Sequence, residues 1–524
     1  MTLRPIILLL AALFVASGIS AARASANDPG PSLDLFNNHY YHCKTDYYVA
    51  PGGSDSNPGT ASSPWKTLQG ANNNLAAKGS TAPGVCVRVA PGTYDGVELS
   101  VGGNLASAGG YVVYRCTTLD ACTVKGDAGY HSAESFETVW PGGGRTPPNY
   151  IMVDGFVLAG GNVANNGVGV SVFNGDNGAE LSAHHIWVLN SVVTGFGQAG
   201  VGIAAGEYFY IIHDKIYGNS NLGCGVQGSG ISFNILHTVP NYTPTADDKT
   251  NPDKLLGPTW VKGNSFFHVV VEWNVVFNNA LTQCGTQNNP TDTDGNGIIF
   301  DTNLEHFVNG VNQGNSENYD TPSLVAFNVL YNDGAGGFHA FYSANGVVAN
   351  NSCYNNQLDP GDGGTSRPCM DDSDGYGFTF INNIAVAIPA TYTGSCWPVS
   401  PPYAKYNYAM LGAPSQAPYD VFSNNITKVI GTTCNGSEVS VYNGDVYTCE
   451  SGSGTKPPAN QCTTDPSWVN VGTQTVGTDT TPPIGVNFAL KAGSPAIGTG
   501  LKESWLPSTS VDVGACRSKL TTCP

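Results

Sequence analysis

The sequence predicts an all-β protein: a single right-handed parallel β-helix, a solenoid of stacked coils with inserted loops. Two repeated segments and the composition lead to this prediction. Only 11% of the 524 residues are charged, and 66 are glycine. Few Lys and Glu residues together with so much Gly favour many strands and turns over long helices.

The first repeated segment is an apolar β run that ends in Asn. Clear copies end at Asn190, Asn274, Asn328 and Asn351, weaker ones at Asn383 and Asn425, and one has Asp214 in the Asn place. The spacing of 24 residues from Asn190 to Asp214, and of 23 from Asn328 to Asn351, suits one coil of a β solenoid. Asn tolerates the left-handed conformation of a sharp turn, and stacked amides can hydrogen-bond between coils. We therefore expect an Asn ladder at this corner.

The second repeated segment is a strand that begins with Gly. Its copies are Gly200–Ala204, Gly230–Asn234, Gly297–Asp301 and Gly337–Phe341. Alternation of side chains along a strand predicts an inner set and an outer set. The inner set is Val201, Ile203, Ile231, Phe233, Ile298, Phe300, Phe338 and Ala340. The outer set forms two columns, which are Ser232, Ile299 and His339 in one and Asn234, Asp301 and Phe341 in the other.

The N-terminus has the pattern of a signal peptide in residues 1–24. Arg4 precedes the apolar run Ile6–Val15, and a small-x-small signal ends at Ala24. We predict cleavage after Ala24 and secretion to the extracellular space. The mature chain then divides into a lead segment (25–46), the β-helix domain (47–516) and a C-terminal tail (517–524). Later segments fall short of the ~18 uninterrupted apolar residues of a membrane helix, so no membrane partner is expected.

Charge and cysteine content exclude further classes of function. A net charge of −18 gives no electrostatic attraction to nucleic acid, and we expect a monomer without a nucleic-acid partner. All 14 cysteines lie beyond the signal peptide, and an even number in an exported chain predicts disulfides. Three pairs are close in sequence, although the sequence alone leaves the pairing open. They are Cys116 and Cys122, Cys353 and Cys369, and Cys516 and Cys523.

Segments near both ends of the mature chain are similar to a known superfamily. The run Tyr47–Gln69 followed by Val87–Tyr94 resembles the opening of pectate-lyase-like right-handed parallel β-helix proteins. The runs Asp465–Val469, Ala489–Ile497 and Asp512–Ala515 resemble their closing segment. The resemblance covers nearly the whole mature chain and implies a polysaccharide substrate. The superfamily contains lyases, hydrolases, epimerases and fibres, and the motifs typical of pectate lyases and polygalacturonases are missing here, so pectate is not assigned.

One acidic turn predicts a metal site. Asp292, Asp294 and Asn296 have the spacing of the first three ligands in an EF-hand loop, and Asp301 follows on the next strand. The prediction is a calcium ion held by these four residues. The alternative is a turn whose Asp and Asn side chains only cap backbone amides.

The same region supplies candidate catalytic residues. Asp294 and Asp301 are predicted as the paired carboxylates of a glycosidase. With His268 and His339 they are expected to surround one groove, and Lys262 is the predicted base of a β-elimination, since related lyases often use Lys or Arg.

Loops inserted between the central coils are expected to bind substrate. The predicted insertions are 238–265, 281–293, 302–322 and 357–374. The predicted substrate-binding residues are Asn234, Trp260, Tyr319, Tyr342 and Arg367. The first functional hypothesis is a calcium-assisted polysaccharide lyase acting on an acidic glycan. A glycoside hydrolase with paired Asp residues and a non-catalytic carbohydrate-binding β-helix are the alternatives, and the polysaccharide and the endo or exo mode stay open.

Overall fold

A computed structural model describes most of the chain between positions 43 and 516. The described residues are 43, 45–78, 84–102, 111–126, 135–138, 148–161, 167–173, 183–220, 228–236, 238, 261–262, 265–280, 294–304, 307–308, 311–312, 319, 321–356, 368–373, 375–387, 409–413, 420–429, 441–443, 446–447, 460–462, 464–471, 486–502 and 512–516. The predicted signal peptide and C-terminal tail lie outside them.

Three sheets of 11 strands each run the length of the described chain. Sheet 1 contains Val97–Leu99, Phe136–Thr138, Val168–Phe173, Ala199–Ala204, Ile231–Asn234, Ile298–Asp301, Phe338–Phe341, Met370–Ser373, Met410–Ala413, Val441–Asn443 and Val446–Tyr447. Sheet 2 contains Thr45–Val49, Val85–Val89, Val112–Cys116, Ile151–Asp154, His184–Leu189, Glu207–Ile212, Val269–Glu272, Ser323–Ala326, Gly346–Ala349, Thr379–Ile381 and Val421–Ser423. Sheet 3 contains Gly92–Asp95, Cys122–Lys125, Val157–Ala159, Val192–Thr194, Lys215–Tyr217, Val275–Phe277, Val329–Tyr331, Ser352–Tyr354, Ile384–Ala387, Ile426–Val429 and Gln461–Cys462.

From Val85–Val89 to Val441–Asn443 the chain visits the sheets in the fixed order 1, 2, 3, and each strand pairs in parallel with the strand one coil away. The exception within these sheets is the antiparallel pair Val441–Asn443 and Val446–Tyr447. Outside them lie the helix Leu68–Ala77 and three antiparallel pairs: Val261–Lys262 with Ser265–Phe266, Phe307–Val308 with Val311–Asn312, and Trp468–Asn470 with Asn487–Leu490. This is the predicted parallel β-helix with inserted loops. Within the described part of the chain, no helix has the length and apolar character needed to cross a bilayer.

The inner faces of the three sheets enclose one long apolar core. Along sheet 1 the predicted inward residues stack in register, as Ile231, Ile298 and Phe338 do in one row and Phe233 and Phe300 in another. All eight predicted inward side chains of this sheet are buried. The predicted register of sheet 1 is therefore confirmed.

The Asn ladder lies at the corner between sheets 2 and 3. In the coil that contains Asn190, the ladder place is one residue later than the repeat predicts. Each coil turns this corner with a left-handed residue followed by the ladder residue, and Asn190 is the left-handed one, with φ of 50°. Ser191 takes the ladder place and donates its backbone N–H to Asp214 Oδ1 at 2.7 Å. The ladder continues through Asn274, Asn328, Asn351, Asn383, Asn425 and Asn460.

A second ladder lies at the corner between sheets 3 and 1. It contains Asn219, Asn279, Asp333 and Asn356. This ladder explains why sheet 1 strands begin with Gly. A Cβ atom on Gly230 would lie 2.7 Å from Asn279 Nδ2, and one on Gly297 would lie 2.7 Å from Asp333 Oδ2.

We expect Asp333→Asn to stabilise the protein at neutral pH. Burial raises the pKa of Asp333 well above its usual value, so the folded chain keeps a proton that the unfolded chain releases as pH rises above about 3.9. The stability that Asp333 contributes therefore falls as pH rises. An Asn amide does not titrate, so its contribution does not change with pH. Urea unfolding should show a gain of at least about 1 kcal/mol at pH 7 and a smaller gain near pH 4. Equal gains at both pH values would contradict this expectation.

Disulfides brace the described coils, as the cysteine count predicts. Bridges join Cys43 to Cys86, Cys116 to Cys122 and Cys353 to Cys369, and the last two match pairs that are close in sequence. Cys516 is also bridged, and the described part of the chain holds no free cysteine. Cys523, which is close to Cys516 in sequence, lies outside the described residues.

Candidate functional site

The outer face of sheet 1 carries the two polar columns that the sequence predicts. Parallel pairing aligns Ser232, Ile299 and His339 in the first column. It aligns Asn234, Asp301 and Phe341 in the second column. The next strand extends both columns, because Asp371 pairs with His339 and Ser373 with Phe341.

Long connections flank these columns on both sides. At the corner from sheet 1 to sheet 2, the chain runs from Asn234 to Val269 and from Asp301 to Ser323 before it rejoins the coil. At the opposite corner it runs from Phe277 to Ile298 and from Tyr354 to Met370. Inserted segments on both edges of one sheet are the arrangement expected around a binding groove.

His339 and Asp371 form a buried pair at the centre of the first column. His339 Nδ1 lies 2.8 Å from Asp371 Oδ2, and the side chains are 5% and 2% exposed. Ser373 donates its hydroxyl to the same carboxylate oxygen at 3.1 Å. An ionised carboxylate only accepts hydrogen bonds, so His339 donates from Nδ1 and presents the lone pair of Nε2 for proton transfer.

The second column places polar and aromatic groups beside this pair. Asn234, Asp301 and Phe341 are each partly exposed. Asp301 is one strand and two residues away from His339, which gives a Cα separation of about 8 Å from ideal sheet spacings. Phe341 lies 6.2 Å from the His339 ring, and the ring of Tyr342 packs edge-on against Phe341 at 4.3 Å. His339, Asp301 and Asn234 thus lie on one face of sheet 1, and Tyr342 packs beside them against Phe341.

Sequence reasoning missed Asp371 because its strand lacks the expected first residue. Gly begins the other copies of the repeat, but Cys369 occupies that place before Met370–Ser373 and is bridged to Cys353. The second inward position of this strand holds Asp372 in place of an apolar residue, so the alternation that marks the other copies is also missing.

His268 lies on a different sheet from His339. It directly precedes Val269–Glu272 of sheet 2, and its Nδ1 lies 2.6 Å from Glu207 Oε2. Its ring stacks on Tyr208 at 4.3 Å, in a column that continues to His185 and Tyr150. The expectation of one groove shared by both histidines is therefore wrong in geometry, because the chain turns the corner from sheet 1 to sheet 2 before it reaches His268.

The predicted calcium ligands do not come together among the described residues. Asn296 is fully buried, accepts the Gly336 N–H at 3.0 Å and donates to Ser229 Oγ at 3.3 Å. Asp294 is buried before the strand Ile298–Asp301, whereas Asp301 ends that strand. Where the structure describes the chain, the one close group of three or more His, Cys, Asp or Glu is Cys43, Asp46 and Cys86, and its two cysteines are bridged to each other. The hydrogen bonds of Asn296 fit the alternative of a capping turn, whereas Asp292 lies outside the described residues, so the calcium site stays a prediction.

The positions of Asp294 and Asp301 also matter for their predicted role as a pair of carboxylates, because a glycosidase needs its two carboxyl groups close together. Four strand rises from Gly297 to Asp301 already span about 13 Å, whereas the carboxyl groups of glycosidases are about 5 to 9.5 Å apart.

The other predicted residues divide into two groups. Trp260, Arg367 and Asp292 lie outside the described residues, and Lys262 belongs to the antiparallel pair before His268, without a described side chain. Tyr319 is 2% exposed and packs in the main core, so it offers no open surface to a sugar ring. Its backbone N–H donates to Asn303 O at 3.1 Å.

Comparison with known proteins gives distant structural matches. No protein-family model and no curated protein matches this sequence. The pectate lyase Pel9A is 14% identical over 92% of this chain and 98% of its own, with a TM-score of 0.40. XylC, solved with xylose, is 11% identical over 74% of this chain and 76% of its own, with a TM-score of 0.38. A GH136 lacto-N-biosidase from Eubacterium ramulus is 12% identical over 80% and 68%, with a TM-score of 0.37. Similarity this low carries no argument about substrate or reaction.

Proposed function

We propose that this protein is a secreted, monomeric carbohydrate-active enzyme that cleaves a polysaccharide on the outer face of sheet 1. The observation that carries the proposal is the His339–Asp371 pair. A carboxylate that binds Nδ1 of an imidazole fixes the ring and its tautomer, which suits the imidazole to act as a general acid or base. Asp301, Asn234 and Phe341 beside it supply polar and flat contacts suited to sugar rings.

The first candidate reaction is β-elimination on an acidic glycan. His339 Nε2 takes the proton from the carbon next to the uronate carboxylate. The electron pair left behind forms a carbon–carbon double bond as the glycosidic bond breaks, and the departing oxygen takes up a proton. The products are a new non-reducing end with an unsaturated sugar and a free hydroxyl on the other fragment.

The charge on this face favours a second candidate, a glycoside hydrolase. The described sheet 1 strands contain no Lys or Arg, but they carry Glu98, Glu137, Asp301 and Asp371 on outward positions. A lyase needs positive charge against the substrate carboxylate, whereas a hydrolase needs two carboxyl groups. The Cα atoms of Asp301 and Asp371 are about 12 Å apart by ideal sheet spacings, and side chains that lean together reach the separation of an inverting pair.

A polysaccharide panel assayed in two ways tests the proposal. We expect at least one polysaccharide to be shortened by the wild-type protein. Ultraviolet absorbance from unsaturated sugars marks the lyase, and new reducing ends without that absorbance mark the hydrolase. A chelator arm tests the proposed calcium dependence, which the described residues do not support. No cleavage of any acidic or neutral polysaccharide would overturn the proposal.

Asp301→Asn separates the two reactions further. The change keeps the shape of the side chain but removes its charge, so a hydrolase that uses Asp301 should lose at least about 100-fold in turnover. A lyase with His339 as its base should lose less. Asp46→Asn is the matched control, because Asp46 forms an exposed ion pair with Arg88 at the N-terminal end of sheet 2.

A further inference from the structure

Two carboxylic acids meet inside the coil directly behind the candidate site. Asp372 takes an inward position on the strand Met370–Ser373, in register with Ala340, and it is fully buried. Asp420 precedes the strand Val421–Ser423 of sheet 2 and is 4% exposed. Their carboxyl groups lie close enough for a proton on one of them to form a hydrogen bond to the other. Asp371, on the opposite face of the same strand, is the residue that holds His339.

Each of the two acids also contacts the corner that joins sheet 1 to sheet 2. Asp420 Oδ1 accepts the N–H of Phe378 at 2.9 Å, and the carboxyl group of Asp372 packs against Gly375. Between these two points, Tyr376 donates its N–H to Ser343 O one coil away, at 3.1 Å. The acid pair therefore contacts both ends of corner 375–378.

The space at Gly375 shows how closely this corner is packed. A Cβ atom there would lie 2.2 Å from Asp372 Oδ1 and 2.2 Å from Ser343 O. No side chain fits between the carboxyl group and the backbone of the neighbouring coil. The corner thus keeps its present form only while Asp372 keeps its present position.

A hydrogen bond between two carboxyl groups exists only while one of them carries a proton. Two ionised carboxylates at hydrogen-bonding distance inside a core of low dielectric constant repel each other strongly. Among the described residues, Asp420 and Asp371 are the titratable groups that act on Asp372, and both are acidic. We propose that Asp372 and Asp420 form a proton-dependent clasp that closes corner 375–378 when the pair holds a proton and loosens it when the proton is lost.

The direction of the pH dependence follows from the charges. Burial, with Asp420 next, raises the pKa of Asp372 well above its usual value, and burial raises the pKa of Asp420 to about 6. The folded chain therefore holds protons that the unfolded chain has released, and the stability contributed by the pair falls as pH rises above about 4. The proton shared by Asp372 and Asp420 is the last that the pair loses. The clasp therefore opens at a higher pH than the one at which the stability begins to fall.

Hydrogen exchange on the whole protein tests the clasp independently of any catalytic activity. We expect the protection of the peptide that contains Gly375 and Phe378, corrected for intrinsic exchange rates, to fall as pH rises. In Asp372→Asn, the amide replaces the acid O–H as donor to the Asp420 carboxylate. Protection should then persist at high pH. Asp420→Ala should lower protection of the same peptide at every pH.

Asp333→Asn provides the matched control. It removes another buried acid, on the second ladder at the far corner of the coil, so it should change global stability without changing how corner 375–378 responds to pH. Protection at 375–378 that is independent of pH in the wild-type protein would overturn the proposal. An Asp372→Asn variant that loses protection with pH as the wild type does would also overturn it. If Asp420→Ala fails to fold, the Asp372→Asn comparison still decides.

Discussion

His339→Asn is expected to reduce turnover of the cleaved polysaccharide by about 10²- to 10⁴-fold, the usual contribution of a positioned acid–base group. An imidazole can both accept and donate a proton near neutral pH, and Asp371 engages Nδ1 of His339, which leaves Nε2 to act on the substrate. Initial rates on the best substrate of the panel measure the loss. Circular dichroism and the thermal unfolding midpoint show whether the fold is retained.

Two companion variants sharpen this experiment. His213→Asn makes the same substitution at the corner between sheets 2 and 3, where His213 has φ of 60° and stacks on Trp273. Asn tolerates that conformation, so activity should stay at the wild-type level. Asp371→Asn can donate an amide hydrogen to Nδ1 and so favours the tautomer that carries the proton on Nε2. It should lose activity at the pH where the wild type is most active. Wild-type rates in both His339→Asn and Asp371→Asn would move the active site away from this face.

Asn328→Ala is expected to lower the free energy of unfolding by at least about 3 kcal/mol. Asn328 is fully buried and its side chain makes four hydrogen bonds in the ladder. It accepts the backbone and side-chain N–H groups of Asn274 and donates to Val271 O and Asn351 Oδ1. Truncation leaves these partners buried without a bond, and each such group costs about 1 to 3 kcal/mol.

Urea unfolding monitored by fluorescence measures this cost. Asn73→Ala is the control, because Asn73 lies exposed on the helix Leu68–Ala77, where Ala has the higher helix propensity. That variant should be as stable as the wild type or slightly more so. A loss below about 1 kcal/mol in Asn328→Ala would contradict this expectation. It would mean that water, or a shift of the coil, replaces the hydrogen bonds that Asn328 makes in the wild-type ladder.

The repeats alone determined most of the fold. Alternation in the strands after Gly297 and Gly337 placed Phe300 and Phe338 inside and Asp301 and His339 outside, in the register that the structure has. This works because side chains alternate with a period of two and each coil must bury one face. The spacing of the Asn positions likewise marked a corner of the coil, although it assigned Asn190 to the ladder place that Ser191 occupies.

Tertiary structure alone decided which chemical groups meet. The sequence distance from His268 to Asp301 is short, yet the chain turns two corners between them, and His268 pairs with Glu207 on sheet 2. Asp371 is 32 residues from His339 and lies within hydrogen-bonding distance of it, because insertions lengthen a coil without changing which strand stacks on which. Alternation along one strand is a local property that the sequence carries in full. Contacts between coils depend on the number of residues in the connection at each corner, which the repeats do not reveal. The partners of His339 and Asp372 therefore become known only when the coils are stacked in three dimensions.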